Sequence, residues 1–206
     1  MYVISGTYSN EFKIKGSLFK VFTFEVNSVL EVKKIISELD DKFKDASHIC
    51  YGYRLCNIDN LDLFYNPEII EFSNDDGEPS GTAGKPILNI LKKNKIINRI
   101  IVVVRYFGGT KLGIVGLIDA YKYAADLVLK DNIDYKKWVL FKKMSIKLDY
   151  KYHKIINNLI SDYNINILNS DFSDMILLNL EVPYKIINLF KKKIIEKSNG
   201  TIEVIE

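Results

Sequence analysis

The run Ile100–Val104 places five apolar residues in succession between Arg99 and Arg105, and no other stretch restricts the possible folds as strongly. A strand with one wet face alternates apolar and polar residues. This one does not, so both of its faces must be covered and it belongs at the centre of a layered arrangement. The strand ends at Arg105, and Tyr106, Phe107, Gly108, Gly109, Lys111 and Gly113 follow. Glycines there let backbone approach a ligand or form an anion-binding nest, with Arg105 and Lys111 supplying charge and Tyr106 or Phe107 able to stack on a base. The same glycines also suit a tight crossing into the next helix, whose apolar residues are Ile114, Leu117, Ile118, Tyr121, Ala124, Ala125 and Val128.

A second glycine loop lies just upstream in DDGEPSGTAGKPIL, and Asp75 to Tyr121 hold seven of the eleven glycines and two of the four prolines. Asp75, Asp76 and Glu78 surround Gly77. They could bind a divalent cation or orient a ligand, or they could cap local backbone N–H groups in an Asx-type turn. Gly81, Thr82 and Gly84 then open a helix with Pro86 in its first turn. Free amides at such a start, with Lys85 beside them, favour an anion such as phosphate. The loop is not a Walker A motif, because GKP stands where GK[ST] is required. The two loops are expected to converge on one concave site.

Around this centre the chain alternates strands and helices. FKIKGSLFKVFTFEV reads as a hairpin about Gly16 and Ser17, and Ser28 as the N-cap of an amphipathic helix running to about Phe43. In ASHICYGYRLC, Ile49, Tyr51, Tyr53 and Leu55 form a core face, while His48, Cys50, Gly52, Arg54 and Cys56 form a small, polar one that lines a pocket or is half-solvated. A His48/Cys50 dyad is disfavoured, because side chains two apart on a strand project in parallel. Cys50 and Cys56 would lie roughly 20 Å apart on a strand, too far for a disulfide. A short strand around Ile69 to Phe72 follows, limited by Pro67. Turn formers and charges mark a linker at 131–138 between domains 1–130 and 139–206. The second domain reads as βαββαβ, a ferredoxin-like split βαβ unit. Its His153 is expected on the surface, and Lys191, Lys192 and Lys193 on a solvated helix face.

Charge excludes some functions. Residues 1–138 hold 19 basic and 18 acidic residues and 139–206 hold 10 and 8, so neither half is basic enough for a typical duplex-DNA binder. No apolar run is long enough for a bilayer span and nothing resembles a signal peptide, so a cytoplasmic location without membrane contact is expected.

DDGEPSGTAGKPIL followed by VVVRYFGGTKLG, with ASHICYGYR upstream, resembles the YigZ/Impact family over essentially the whole chain. The resemblance implies an α+β protein. Its N-terminal domain would be like domain 2 of ribosomal protein S5, and its C-terminal domain ferredoxin-like, as in the last domain of elongation factor G. It also implies a role in translation. RNA, the ribosome or a translation-related protein is the expected partner; no cofactor is expected, and with only two histidines and two cysteines a structural zinc site lacks ligands. The family's pattern falls on His48, Cys50, Asp75 to Pro86 and Arg105 to Gly113. Val115 and Asp119 depart from it, standing where glycine and arginine are usual, and so does Lys15–Leu18. The expected ligand-binding set is Gly81, Thr82, Gly84, Lys85, Arg105, Tyr106, Phe107, Gly108, Gly109 and Lys111. Two alternatives stand beside a binding protein: an enzyme on a small phosphorylated or nucleotide substrate, using His48 with Asp75, Asp76 or Glu78, and a pure protein-interaction module.

Overall fold

A computed structural model describes residues 1–61, 66–130 and 133–205, which form two compact units, Met1–Trp138 and Val139–Glu206. In the first unit β1 (Tyr2–Ile4) is followed by the hairpin β2 (Tyr8–Ile14) and β3 (Ser17–Glu25). Its two-residue turn is Lys15–Gly16, both at positive φ, one residue earlier than the spacing suggests. Helix α1 (Val29–Lys42) starts on Ser28, whose side chain accepts from the Glu31 amide at 3.2 Å, while Glu31 reaches back to the Asn27 amide. Strands β4 (His48–Leu61) and β5 (Pro67–Asn74), helix α2 (Gly84–Lys93), strand β6 (Arg99–Tyr106), helix α3 (Gly113–Leu127) and strand β7 (Tyr135–Lys137) complete the unit. Both β4 and β5 exceed their expected lengths because they pair with each other out to Leu61 and Pro67. Pro67, the first residue of an edge strand, has no ladder bond to lose on its open side.

The sheet runs β2-β3-β6-β4-β5 with every neighbouring pair antiparallel. β6 is its middle strand, buried from Arg99 to Arg105. Ile100, Val102 and Val104 pack with Val32, Leu39 and Phe43 from α1 and its end; Ile101 and Val103 pack with Ile87 and Leu91 of α2 and Leu117 and Tyr121 of α3. Helices thus cover both faces, as the unbroken apolar run requires. They also cover the middle of the small face of β4, whose ends stay half-solvated at His48, Arg54 and Cys56: Cys50 is fully buried, and a Cβ on Gly52 would lie 2.8 Å from the Leu88 backbone nitrogen, so glycine lets α2 settle onto the strand. Both cysteines are free thiols.

β7 pairs antiparallel with β1, and the Trp138 amide donates to the Met1 carbonyl. Residues 135–137 are therefore part of the first unit rather than a free connection. Buried Arg99 fastens β1 to the sheet by donating to the Ile4 carbonyl at 2.9 Å and to Thr23 Oγ1 at 2.9 Å.

The second unit comprises β8 (Phe141–Leu148), α4 (His153–Asp162), β9 (Asn166–Phe172), β10 (Ile176–Pro183), α5 (Ile187–Ser198) and β11 (Glu203–Ile205). Its antiparallel order β11-β8-β10-β9 is the ferredoxin-like arrangement. α5 ends on Asn199 and Gly200 at positive φ, with the Gly200 amide donating to the Ile195 carbonyl. His153 is half-buried rather than a surface residue, because its ring packs edge-on against Phe172 at 5.5 Å. Lys192 and Lys193 pair with Glu196 on α5.

Candidate functional site

The first loop leaves β5 at Asn74 and turns through Asp76, Gly77 and Gly81, all at positive φ. Its geometry comes from two carboxylates. Asp75 Oδ2 accepts from the Gly81 amide at 2.8 Å, and Oδ1 from the Ala83 and Gly84 amides at 3.0 and 2.8 Å. These are the orphan donors at the start of α2, so Asp75 sits where an external anion would otherwise bind. Asp76 Oδ2 accepts from the Ile49 amide at 2.6 Å, tying the loop to β4. Thr82 is buried, with its hydroxyl donating to the Pro79 carbonyl at 2.7 Å. A Cβ on Gly84 would stand 2.6 Å from the Asn74 carbonyl oxygen, so only glycine lets the helix start lie against the end of β5.

The second loop is pinned to the β2–β3 turn. A Cβ on Gly108 would lie 1.9 Å from the Gly16 carbonyl carbon, so the two backbones touch. The hydroxyl of buried Ser17 accepts from the Gly108 amide at 3.1 Å, and that of Ser47 accepts from the Phe107 amide at 2.9 Å. Beyond these anchors the loop opens: Phe107, Lys111, Ile114 and Val115 are exposed, and nothing lies near Gly109 or Gly113.

The loops do converge, at a buried charge pair. Glu78 and Arg105 have side chains 4% and 5% exposed, and Arg105 Nη1 donates to Glu78 Oε1. The Tyr121 hydroxyl donates to that oxygen at 2.7 Å, and His48 Nε2 stands 3.9 Å from it. The guanidinium lies between the rings of Phe19 and Phe107, 5.4 and 5.6 Å from their centroids, and Nη2 reaches Ser17 Oγ at 3.4 Å. Arg105 Nε is the one buried side-chain nitrogen or oxygen without a hydrogen-bond partner among the described residues.

The chemistry available here is limited. Burial pushes the Cys50 thiol far above its usual range; a bond to the Tyr121 hydroxyl lowers it somewhat, and the charges of Glu78, Asp76 and Asp75 raise it further. Burial likewise raises the Tyr121 hydroxyl, with Cys50 and Glu78 adding to the effect. Neither is a ready nucleophile. His48 Nδ1 bonds the Asp76 carbonyl at 2.7 Å, whereas Cys50 Sγ meets the Asp75 carbonyl and the Tyr121 hydroxyl, so the two do not form a dyad. No group of three or more His, Cys, Asp or Glu among the described residues could hold a metal ion.

The expected ligand set therefore divides. Arg105 is neutralised by Glu78, the Gly81 and Gly84 amides are occupied by Asp75, Gly108 is bonded to Ser17, and Thr82 is buried. Tyr106 is half-buried with its hydroxyl on Asp45 at 3.1 Å. Lys85, Phe107, Gly109 and Lys111 remain open to a partner. Ser17, Ser47 and Tyr121, which fix the site, were absent from the expected set. Tyr121 read only as a core residue, and a serine's partner 91 residues away leaves no local pattern.

Residues 15–129 match the family model of the Impact N-terminal domain. The IMPACT family member YvyE of Bacillus subtilis (strain 168) is 31% identical over 197 residues, covering 96% of this chain and 86% of that protein. The IMPACT family member YigZ of Escherichia coli (strain K12) is 30% identical over 195 residues, covering 94% and 91%. A crystal structure described as that of a hypothetical protein aligns at a TM-score of 0.63 and 25% identity, covering 99% of this chain and 95% of that one.

Proposed function

This chain belongs to the Impact family, and from that premise we propose that it is a translation-associated binding protein, docking on a ribosomal or translation-factor surface rather than turning over a substrate. Translation is the role that the family resemblance implies. One observation carries the choice of binding over catalysis: the charges of Asp75, Asp76, Glu78 and Arg105 are satisfied inside the protein, while the tip of the second loop presents Phe107, Lys111, Ile114 and Val115 to solvent. An enzyme using His48 with Asp75 or Asp76 would first have to break the bonds that hold the loop in shape. A rigid base with an exposed apolar and cationic tip is suited to docking. Lys111 and Lys85 are the cations still open to RNA phosphates, and Phe107 the ring still open to a base.

No helix among the described residues is long and apolar enough to cross a membrane. The proposed setting is the cytoplasm, where the translation machinery lies.

The test is co-sedimentation with ribosomes from the source cells. The full chain is expected to travel with the particles, and Lys111→Glu combined with Val115→Asp to remain at the top of the gradient with an unchanged circular dichroism spectrum. Equal partition of the two proteins would remove the loop tip from the docking surface, and absence of wild-type protein from every ribosomal fraction would overturn ribosome docking.

A further inference from the structure

α2 and α3 leave between them a groove of about 470 Å³ lined by both lysine and apolar side chains. On α2, Lys85, Asn89 and Lys93 recur every four residues and form a polar, cationic stripe about 12 Å long. On α3, Ile118 and Lys122 line the opposite wall, and Ile114 lies one turn before Ile118 on the same face, 63% exposed. Lys85, Lys93 and Lys122 enter no ion pair among the described residues. Two acidic groups bear on the groove where it continues toward Tyr123: Asp126, which pairs with Lys130 at 2.8 Å, and Asp119. Lys93 and Lys122 share that end with them, and because Asp126 is already paired with Lys130, the groove sets three lysines against Asp119.

We propose that this groove is a docking site for an acidic amphipathic helix of a protein partner. Such a helix presents carboxylates every four residues on one flank and aliphatic side chains on the next. The first would meet Lys85 and Lys93, and the second Ile114 and Ile118. A nucleic-acid strand would use the lysines but leave the isoleucine wall without a counterpart. The proposal rests on the reading of the chain as a binding protein and extends its surface along α2 and α3: the groove shares Lys85 and Ile114 with that reading but not Lys111 and Val115, the pair on which the ribosome experiment turns.

The probe is a synthetic helix of about 18 residues, long enough to be helical alone, with glutamates four apart beside a leucine stripe. It is titrated by fluorescence anisotropy against the purified full chain at about 0.15 M salt. A scrambled peptide of the same composition and a single-stranded RNA oligonucleotide are the comparisons. Saturable binding is expected for the patterned peptide, weaker by about tenfold or more in Lys85→Glu/Lys93→Glu and by about threefold or more in Ile114→Ser, with the scrambled peptide binding less well than the patterned one. No saturable binding, equal binding of the scrambled peptide, or tighter lysine-dependent binding of RNA that ignores Ile114→Ser would each overturn the proposal. The titration contains no ribosomes, so it can fail while the loop-tip experiment succeeds, or the reverse.

Discussion

Removing the carboxylate of Glu78 should destabilise the first unit more than any other single loss of charge in the two loops. Glu78 and Arg105 are 4% and 5% exposed, so Glu78→Ala strands a guanidinium that cannot reach water without opening the structure. It also strands the Tyr121 hydroxyl, which has only the Cys50 thiol nearby in exchange. Breaking a buried ion pair from one side costs about 3–5 kcal/mol, chiefly because the remaining charge is uncompensated. The Arg105→Met replacement keeps most of the volume and strands Glu78 instead. The double variant strands neither charge, so its cost should fall short of the summed single costs by about 2 kcal/mol or more.

Cys50 provides the assay. Its thiol is fully buried on β4 and reacts only when the first unit opens, so its labelling rate in a Cys56→Ser background reports that unit without interference from the second. A loss of about 3 kcal/mol would speed labelling roughly 150-fold, since each 1.4 kcal/mol is a factor of ten. The urea dependence of the rate distinguishes global opening from local fraying around Cys50, because only global opening carries the full slope. Acceleration of less than about fivefold by Glu78→Ala, or strictly additive single and double variants, would show that the pair is solvated and that Arg105 remains available to a ligand.

Three further outcomes follow from the same contacts. Asp75→Ala empties the start of α2; stability should fall by about 1–2 kcal/mol, and added sulfate should raise the melting temperature of the variant more than that of the wild type as it takes the place of the carboxylate. Gly108→Ala puts a methyl group 1.9 Å from the Gly16 carbonyl carbon, so the loops must part; the expected loss is about 3 kcal/mol or more, read by the same Cys50 labelling. Glu71 is held below the usual carboxylate range: burial alone would raise it, but bonds from Lys92 and Arg54 outweigh that. Its folded form therefore adds stability above the unfolded carboxylate range that is lost as pH falls through the lowered value, and Glu71→Gln should flatten the acid limb of the stability curve.

The layers of the fold were legible because apolar spacing reports them directly. Five apolar residues at 100–104 demanded cover on both faces, and α1, α2 and α3 provide it. The βαββαβ order of the second unit was readable for the same reason. What alternation could not report was pairing between distant segments. β1 and β7 are three residues each, too short to show a period, and their union made residues 135–137 part of the first unit. The small face of β4 looked polar because residue types alone do not say that Gly52 is small in order to admit the backbone of α2.

The site was legible in its residues and not in its sign. Glycines at positive φ, a helix start and two cations are what an anion-binding loop needs, and all of them are present. They are also what a chain needs to bind its own carboxylates, and the two cases differ only in whether an internal anion reaches the donors first. Asp75 lies six to nine residues before the amides it caps, within reach of a tight loop, so local sequence already held that answer as one of two readings of DDGEP. Glu78 lies 27 residues from Arg105, and no local pattern links them. The pairing depends on β4 and β6 being neighbours, which brings the loop after β5 over the end of β6. A motif rich in glycine and charge therefore identifies where two loops meet. Whether the meeting place is open to a ligand is decided by sheet order, and here that order sets Glu78 against Arg105.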